Sequence, residues 1–365
     1  MKTARKSNIE FVRFVASICI FLGHASLLDG YSGGIIRPLP KGYIYVELFF
    51  MLTGCFCAAH VDHNSIDQTQ AMKYSVKYSV KKLYRILPFA ICGLILCYVW
   101  RFFFFSMSFE ETIIILAQTP YELLLLNITG LSNLYLNAPL WYLSTLLLML
   151  PLFMFIMIRF PDLFRSYLSW AFPFCIYGFL ITKFESMNCW GNSPIYLVSA
   201  LRATAGLALG ACCHYAGTAI KKWSTGKHEA VAGILEITVF GVAGFLSYTN
   251  FSEVAAGRLD MLIVLLFFLA LVLSYSGITW TSRVNNRIID YAGRLSSVIY
   301  CIHWGVLVII QCLFPVIPFK YKLLIASVSC FLLALVLQGS FDFIQKQQRK
   351  SLELLADGMI RTNQK

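Results

Sequence analysis

An arginine and a histidine eleven positions apart inside one apolar run are the first residues in this chain with chemistry to offer. The run Asn8 to Leu28 (NIEFVRFVASICIFLGHASLL) carries Arg13 and His24. At about 20 residues it is long enough for a helix to cross the ~30 Å hydrocarbon core of a bilayer. Eleven steps of about 100° return to nearly the same helical face, about 16 Å farther along the axis, so the two side chains form one polar stripe through the membrane. Arginine at mid-helix costs on the order of 2.5–3.5 kcal/mol on insertion scales, and such residues mark substrate or proton paths. The competing reading is a snorkelling Arg13 and a headgroup-level His24.

The elements that must position this stripe are membrane helices. The 365 residues are 58% hydrophobic and 13% charged, with a mean hydropathy of +0.70. Apolar runs recur at 8–28, 42–60, 86–107, 138–158, 162–181, 195–217, 230–248, 258–276, 294–314 and 320–342. They predict an all-α, polytopic integral membrane protein of about ten transmembrane helices. Residues 1–345 read as a single transmembrane domain and 346–365 as a short cytoplasmic tail. Between the third and fourth runs, Glu110 to Leu136 reads as an interfacial or re-entrant segment.

The formal net charge of +12 is a topology signal and not a nucleic-acid footprint. With the N-terminus cytoplasmic, 21 of the basic residues fall on inner segments and six on outer ones; the positive-inside bias then puts both termini in the cytoplasm. The first run is too long for a signal-peptide core and is not followed by a small-x-small cleavage site, so it is expected to stay in the protein. All of the twelve cysteines except Cys189 fall in or beside the runs and read as small apolar fillers; metal is not expected. Lys73, Lys77, Lys81 and Arg85 recur every four residues, a basic helical face suited to anionic lipid or to a phosphorylated ligand.

Further polar residues lie deep in the runs. Glu47 enters the second run from outside at the depth of His24, as an interfacial charge reached by water or as a carboxylate that fixes the imidazole tautomer and raises its basicity for work as a general base. Arg202 lies about seven residues into the sixth run, as a functional cation or as a partner of Asp260. His303 is mid-run, a ligand of substrate or a hydrogen-bonded helix contact. Trp141 opens a run as a belt aromatic or as a platform for a sugar face. Arg258 and Asp260 read as a boundary ion pair, and Asp342 as a snorkelling carboxylate. The chain contains no Gly-x-Ser-x-Gly elbow, His-Glu-x-x-His or P-loop pattern, which disfavours a serine acyl-enzyme.

Five patterns in order along the chain, Arg13-x10-His24, Glu47 to Gly54 (ELFFMLTG), Lys82 to Pro88 (KLYRILP), Pro139 to Ser144 (PLWYLS) and Ser297 to His303 (SVIYCIH), together resemble the integral-membrane acyltransferase-3 family. The resemblance runs from Ile9 to about Gln338. It implies O-acyl transfer, most often of acetyl, from cytosolic acyl-CoA to a hydroxyl of a cell-surface glycan or lipid-linked glycan, in a bacterial inner membrane. It maps the Arg-x10-His motif onto Arg13 and His24, and an Arg-x-x-Arg motif onto Lys82 and Arg85. Lysine at position 82 keeps the charge and loses the bidentate fork. In this frame Lys82 and Arg85 await CoA phosphates at the inner mouth, Arg202 lines the acyl path or stabilises an oxyanion, and Trp141 and His303 contact substrate. No tightly bound cofactor is implied. Membrane lipid and a second copy of the chain complete the partners considered. The alternative from another class is a transporter of a small solute or glycan precursor, although the inverted repeat typical of transporters is not evident.

Overall fold

In the computed structural model, residues 6–30, 36–64, 66–131, 135–189, 195–223, 228–249 and 256–363 are described, and among them the secondary structure is helical throughout. Lys2, Arg5, Lys227 and Lys365, counted above among the inner charges, lie outside the described residues. The elements are α1 (Ser7–His24), α2 (Tyr45–His63), α3 (Ala71–Phe104), α4 (Phe109–Leu123), α5 (Trp141–Arg159), the short α6 (Pro161–Leu163), α7 (Ala171–Phe184), α8 (Ile195–Trp223), α9 (Glu229–Tyr248), α10 (Ala256–Ser276), α11 (Arg287–Leu313) and α12 (Phe319–Asn363).

Nine of these helices are long and apolar enough to cross a membrane. The tenth expected crossing, 162–181, is broken. Its first part is α6 and a π turn over Phe164–Leu168, and only Ala171–Phe184 continues as α-helix. Fourteen residues rise about 21 Å, short of the hydrocarbon core, so this segment crosses only together with the turn before it. The segment expected to be interfacial contains α4, which begins at a capping box in which Ser108 and Glu111 bond each other's backbone and is not among the spanning helices. The stretch read as a tail continues α12 without a break to Asn363.

In lipid there is little hydrophobic drive between helices, so close association depends on small residues that let backbones meet. Gly206 and Gly210, one helical turn apart on α8, would drive a Cβ into Phe50 and into the Met51 carbonyl of α2, and Gly54 of α2 would drive one into the Leu207 carbonyl. This makes α2–α8 one of the two most extensive helix contacts; the other is α1–α11. Gly93 of α3 approaches the Cys301 carbonyl of α11 in the same way. The core sits among α1, α2, α3, α5, α8 and α11, while α9 and α12 leave much apolar surface outward.

Candidate functional site

The two ends of the chain build the first wall of the site. Ser7 donates from Oγ to Asp290 at 2.7 Å, Arg13 Nη2 donates to Ser297 Oγ at 3.2 Å, and His24 Nδ1 lies 3.0 Å from His303 Nε2. The contacts climb both helices together, so α1 and α11 run parallel. Gly293 permits this, because a side chain there would strike Glu10. Glu10, one turn before Arg13, accepts from its Nη1 at 2.9 Å. Arg13 and His24 therefore face the same neighbour, as their spacing requires.

His24 ends α1 and is half-buried. Its ring stacks on His303 with centroids 5.1 Å apart and meets Trp304 edge-on at 5.3 Å. It opens onto a cleft of about 350 Å³, including open space at its mouth, whose lining includes Tyr43, Trp141, Asn188, Arg202 and Tyr300. The cleft brings His24, Arg202 and Trp141 together. His303 stands behind His24, fully buried, and takes the place the sequence reading gave to Glu47.

Glu47 belongs to a different constellation. Its Oε1 accepts from Arg202 Nε at 2.7 Å and its Oε2 from the Tyr177 hydroxyl at 2.8 Å. The expectation that it faces the His24 imidazole is thus corrected: both of its oxygens are taken by Arg202 and Tyr177. The Arg202 guanidinium lies over the Trp141 ring at 4.8 Å, and its Nη2 is buried with no hydrogen-bond partner. A buried guanidinium retains an open donor beside the cleft, which suits a negative oxygen. Trp141 is 5% exposed, an inner wall and not a lipid-facing belt residue.

Lys82 and Arg85 diverge. Lys82 is partly buried and lines a mostly apolar recess between α3 and α5 with Ser79, Ile86 and Leu146. Arg85 is exposed. The basic face of Lys73, Lys77, Lys81 and Arg85 is exposed along its length, with the apolar Met72, Val76, Val80 and Tyr84 exposed beside it.

The roof of the cleft hangs on Asp260. This fully buried carboxylate accepts from Lys41 Nζ at 2.8 Å, from the Tyr43 hydroxyl at 2.9 Å, from Ser186 Oγ at 3.1 Å and from the Met187 amide at 2.9 Å. Neither Arg202 nor Arg258 takes the role proposed for it beside Asp260; Arg258 is exposed. Asp342 pairs with Arg294 at 2.9 Å. In the last turn of α4, Glu122 Oε1 accepts from Asn127 Nδ2 and from the Leu136 amide. Burial outweighs those two bonds and pushes its carboxyl up to about 7.

Sequence reasoning missed Tyr43, Asn188 and Asp260 as builders of the roof, and Tyr177 as partner of Glu47. Asp260 carried a signal only as a boundary charge, and Tyr300 only as a member of the Ser297–His303 pattern; the Tyr300 hydroxyl donates to the Pro139 carbonyl. Among the described residues no group of three or more histidine, cysteine, aspartate or glutamate side chains is placed to hold a metal, and all twelve cysteines are free.

Against known proteins, residues 6–339 match the family described as the acyltransferase domain of the acyltransferase-3 type. Neither the curated proteins nor the solved structures contain a match. A histidine and an open guanidinium on one cleft in a polytopic helical bundle, together with a family match over nearly the whole chain, lead to one conclusion: this chain belongs to the acyltransferase-3 family and is a multi-pass membrane acyltransferase.

Proposed function

We propose that the protein moves an acyl group, in the simplest case acetyl, from cytosolic acyl-CoA to a hydroxyl of a glycan or lipid-linked glycan, with His24 as general base. The observation that carries this reading is the shared cleft of His24 and Arg202. A bare imidazole nitrogen of His24 takes the proton of the acceptor hydroxyl as its oxygen attacks the thioester carbonyl. The tetrahedral oxyanion accepts from Arg202 Nη2. Collapse breaks the carbon–sulfur bond, and the departing thiolate takes the proton back from His24. Every proton and electron pair is thus returned within donor, acceptor and imidazole.

Arg13 supplies positive charge about 16 Å from His24 by helical rise along α1, comparable to an extended pantetheine arm, and Lys82 adds a second positive charge on α3. In this reading they guide the donor, and the aromatic wall of Trp141, Tyr43 and Tyr300 faces the acceptor. Both termini lie in the cytoplasm, and the enzyme works across a bacterial inner membrane. The test is transfer by protein sealed in vesicles of known orientation, with acyl-CoA and acceptor supplied to chosen sides. Product is expected when the donor is on the side of Lys82 and the acceptor on the side of Tyr43. Product only when both share the Lys82 side would overturn transfer across the bilayer.

A further inference from the structure

We propose that His303 is a positioning residue that fixes the proton of His24 on Nδ1 and so leaves Nε2 bare to act as the base. The inference rests on the proposal that His24 is that base. The first proton to be fixed is the one facing a backbone carbonyl. His303 Nδ1 lies 2.7 Å from the Tyr300 carbonyl and 3.2 Å from that of Ile299. Carbonyl oxygens only accept, so His303 Nδ1 carries a hydrogen. A neutral imidazole has one N–H, and His303 Nε2 is therefore bare.

That bare nitrogen is 3.0 Å from His24 Nδ1. An acceptor needs a donor opposite it, so the proton of His24 sits on Nδ1, and its Nε2 keeps a free lone pair. The opposite arrangement needs a charged His303 donating to His24. Its contacts are two carbonyls and the rings of His24 and Tyr300, at a position with no exposed surface. A cation there would be buried against neutral groups, at a cost of several kcal/mol, whereas the neutral arrangement gives both ring nitrogens of His303 a partner.

The turn bearing His303 is itself fixed. Asn137 Nδ2 donates to the Cys301 carbonyl at 2.9 Å, Tyr300 is bonded to the Pro139 carbonyl, and Gly93 lets α3 close against Cys301. Thus the orientation of His24 is set from α3 and from the turn before α5, through α11. When His24 takes a proton, His303 remains a neutral acceptor of Nδ1–H. It holds the imidazolium in place without the pull of a carboxylate, which leaves the new proton free to pass to the thiolate.

The experiment uses the full-length protein in lipid bilayers with ¹⁵N-labelled histidine. Solid-state NMR separates a bare ring nitrogen from an N–H nitrogen, and the spectrum of His24→Ala identifies the His24 signals. The expected wild-type result is Nδ1–H with a bare Nε2. In His303→Gln the amide oxygen reaches the place of Nε2, so the tautomer and turnover within about tenfold of wild type are retained. In His303→Leu no acceptor remains; His24 loses its fixed tautomer and kcat falls about a hundredfold or more, with the acyl-CoA KM unchanged. Nε2–H in the wild type, or wild-type turnover in His303→Leu, overturns the inference; if His303→Leu does not fold, the wild-type spectrum decides alone. Full activity of His24→Ala would overturn the base itself, a separate outcome.

Discussion

Arg202 and Glu47 lie 2.7 Å apart, nitrogen to oxygen, with 1% and 0% of their side chains exposed, and the Nη2 of that guanidinium has no partner. The pair is electrically closed but leaves both hydrogens of Nη2 to spare. A buried ion pair adds little net stability, because desolvation consumes most of the attraction, yet removing one member strands the other. The carboxylate thus keeps a cation at the cleft that could not otherwise stay there.

Glu47→Gln should therefore lower stability by about 3–5 kcal/mol, read as a fall in the detergent melting temperature. Arg202→Lys keeps the charge and removes the spare planar donor. Its melting temperature should change little, while kcat falls about a hundredfold or more. Unchanged turnover in Arg202→Lys would take the guanidinium out of oxyanion stabilisation.

His24→Ala makes α1 more apolar and should insert and fold as the parent does. Acyl transfer should fall by at least about two orders of magnitude, measured as labelled acyl group appearing in the acceptor. Turnover near the parent level would remove His24 from the chemistry.

Lys82 and Arg85, equal in the motif, should differ in the assay. Lys82 is partly buried at the recess between α3 and α5, so Lys82→Ala should raise the acyl-CoA KM about tenfold or more, the loss of one charge-assisted bond. Arg85 is exposed, and Arg85→Ala should move that KM by less than about fivefold. Tag accessibility on each variant separates donor binding from a change in topology.

Much of this was legible in the chain and some was not. Among the described residues, the nine helices long and apolar enough to span a membrane follow from the length of the apolar runs, and the common face of Arg13 and His24 follows from helical period alone. The partner of Glu47 was hidden, because depth can be counted from a helix end while direction depends on how α2 is rotated against α8. That rotation is set by Gly54, Gly206 and Gly210, whose contacts appear only in three dimensions. The break near Ser169 was hidden for another reason: Phe164–Leu168 sits inside a longer apolar run, and a π turn has no composition of its own. Asp260 drew attention as a boundary charge, but its ligands come from segments 41–43 and 186–187, which no periodicity joins.

Asp260→Asn would leave Lys41 buried without a counter-charge and loosen Tyr43 and the 186–188 segment together. Stability should fall by about 3 kcal/mol or more. The acceptor KM should rise severalfold while the acyl-CoA KM stays near its parent value, since the change touches only the roof. An equal rise in both constants would mean that the roof does not distinguish the substrates.

Glu122 supplies a pH test away from the chemistry. Its folded carboxyl titrates near 7 against an ordinary value of 4.5, so folding favours its neutral form. The stability this contributes is complete below 4.5 and is lost as pH rises through 7. A carboxyl raised that far carries about 3 kcal/mol of such pH-dependent stability. Glu122→Gln, which keeps an acceptor oxygen for Asn127 and Leu136, should melt higher than the parent at about pH 8 and equal to it near pH 4. A constant difference between the two across that range would remove Glu122 as the source.

The side chains of His24 and His303 are 279 positions apart in the chain. During synthesis the first helix enters the membrane long before its parallel neighbour exists, and no short connection can bring them together early. A nascent or truncated chain therefore holds His24 without the neighbour proposed to fix its proton. Assembly of the last third of the protein is what arms the first.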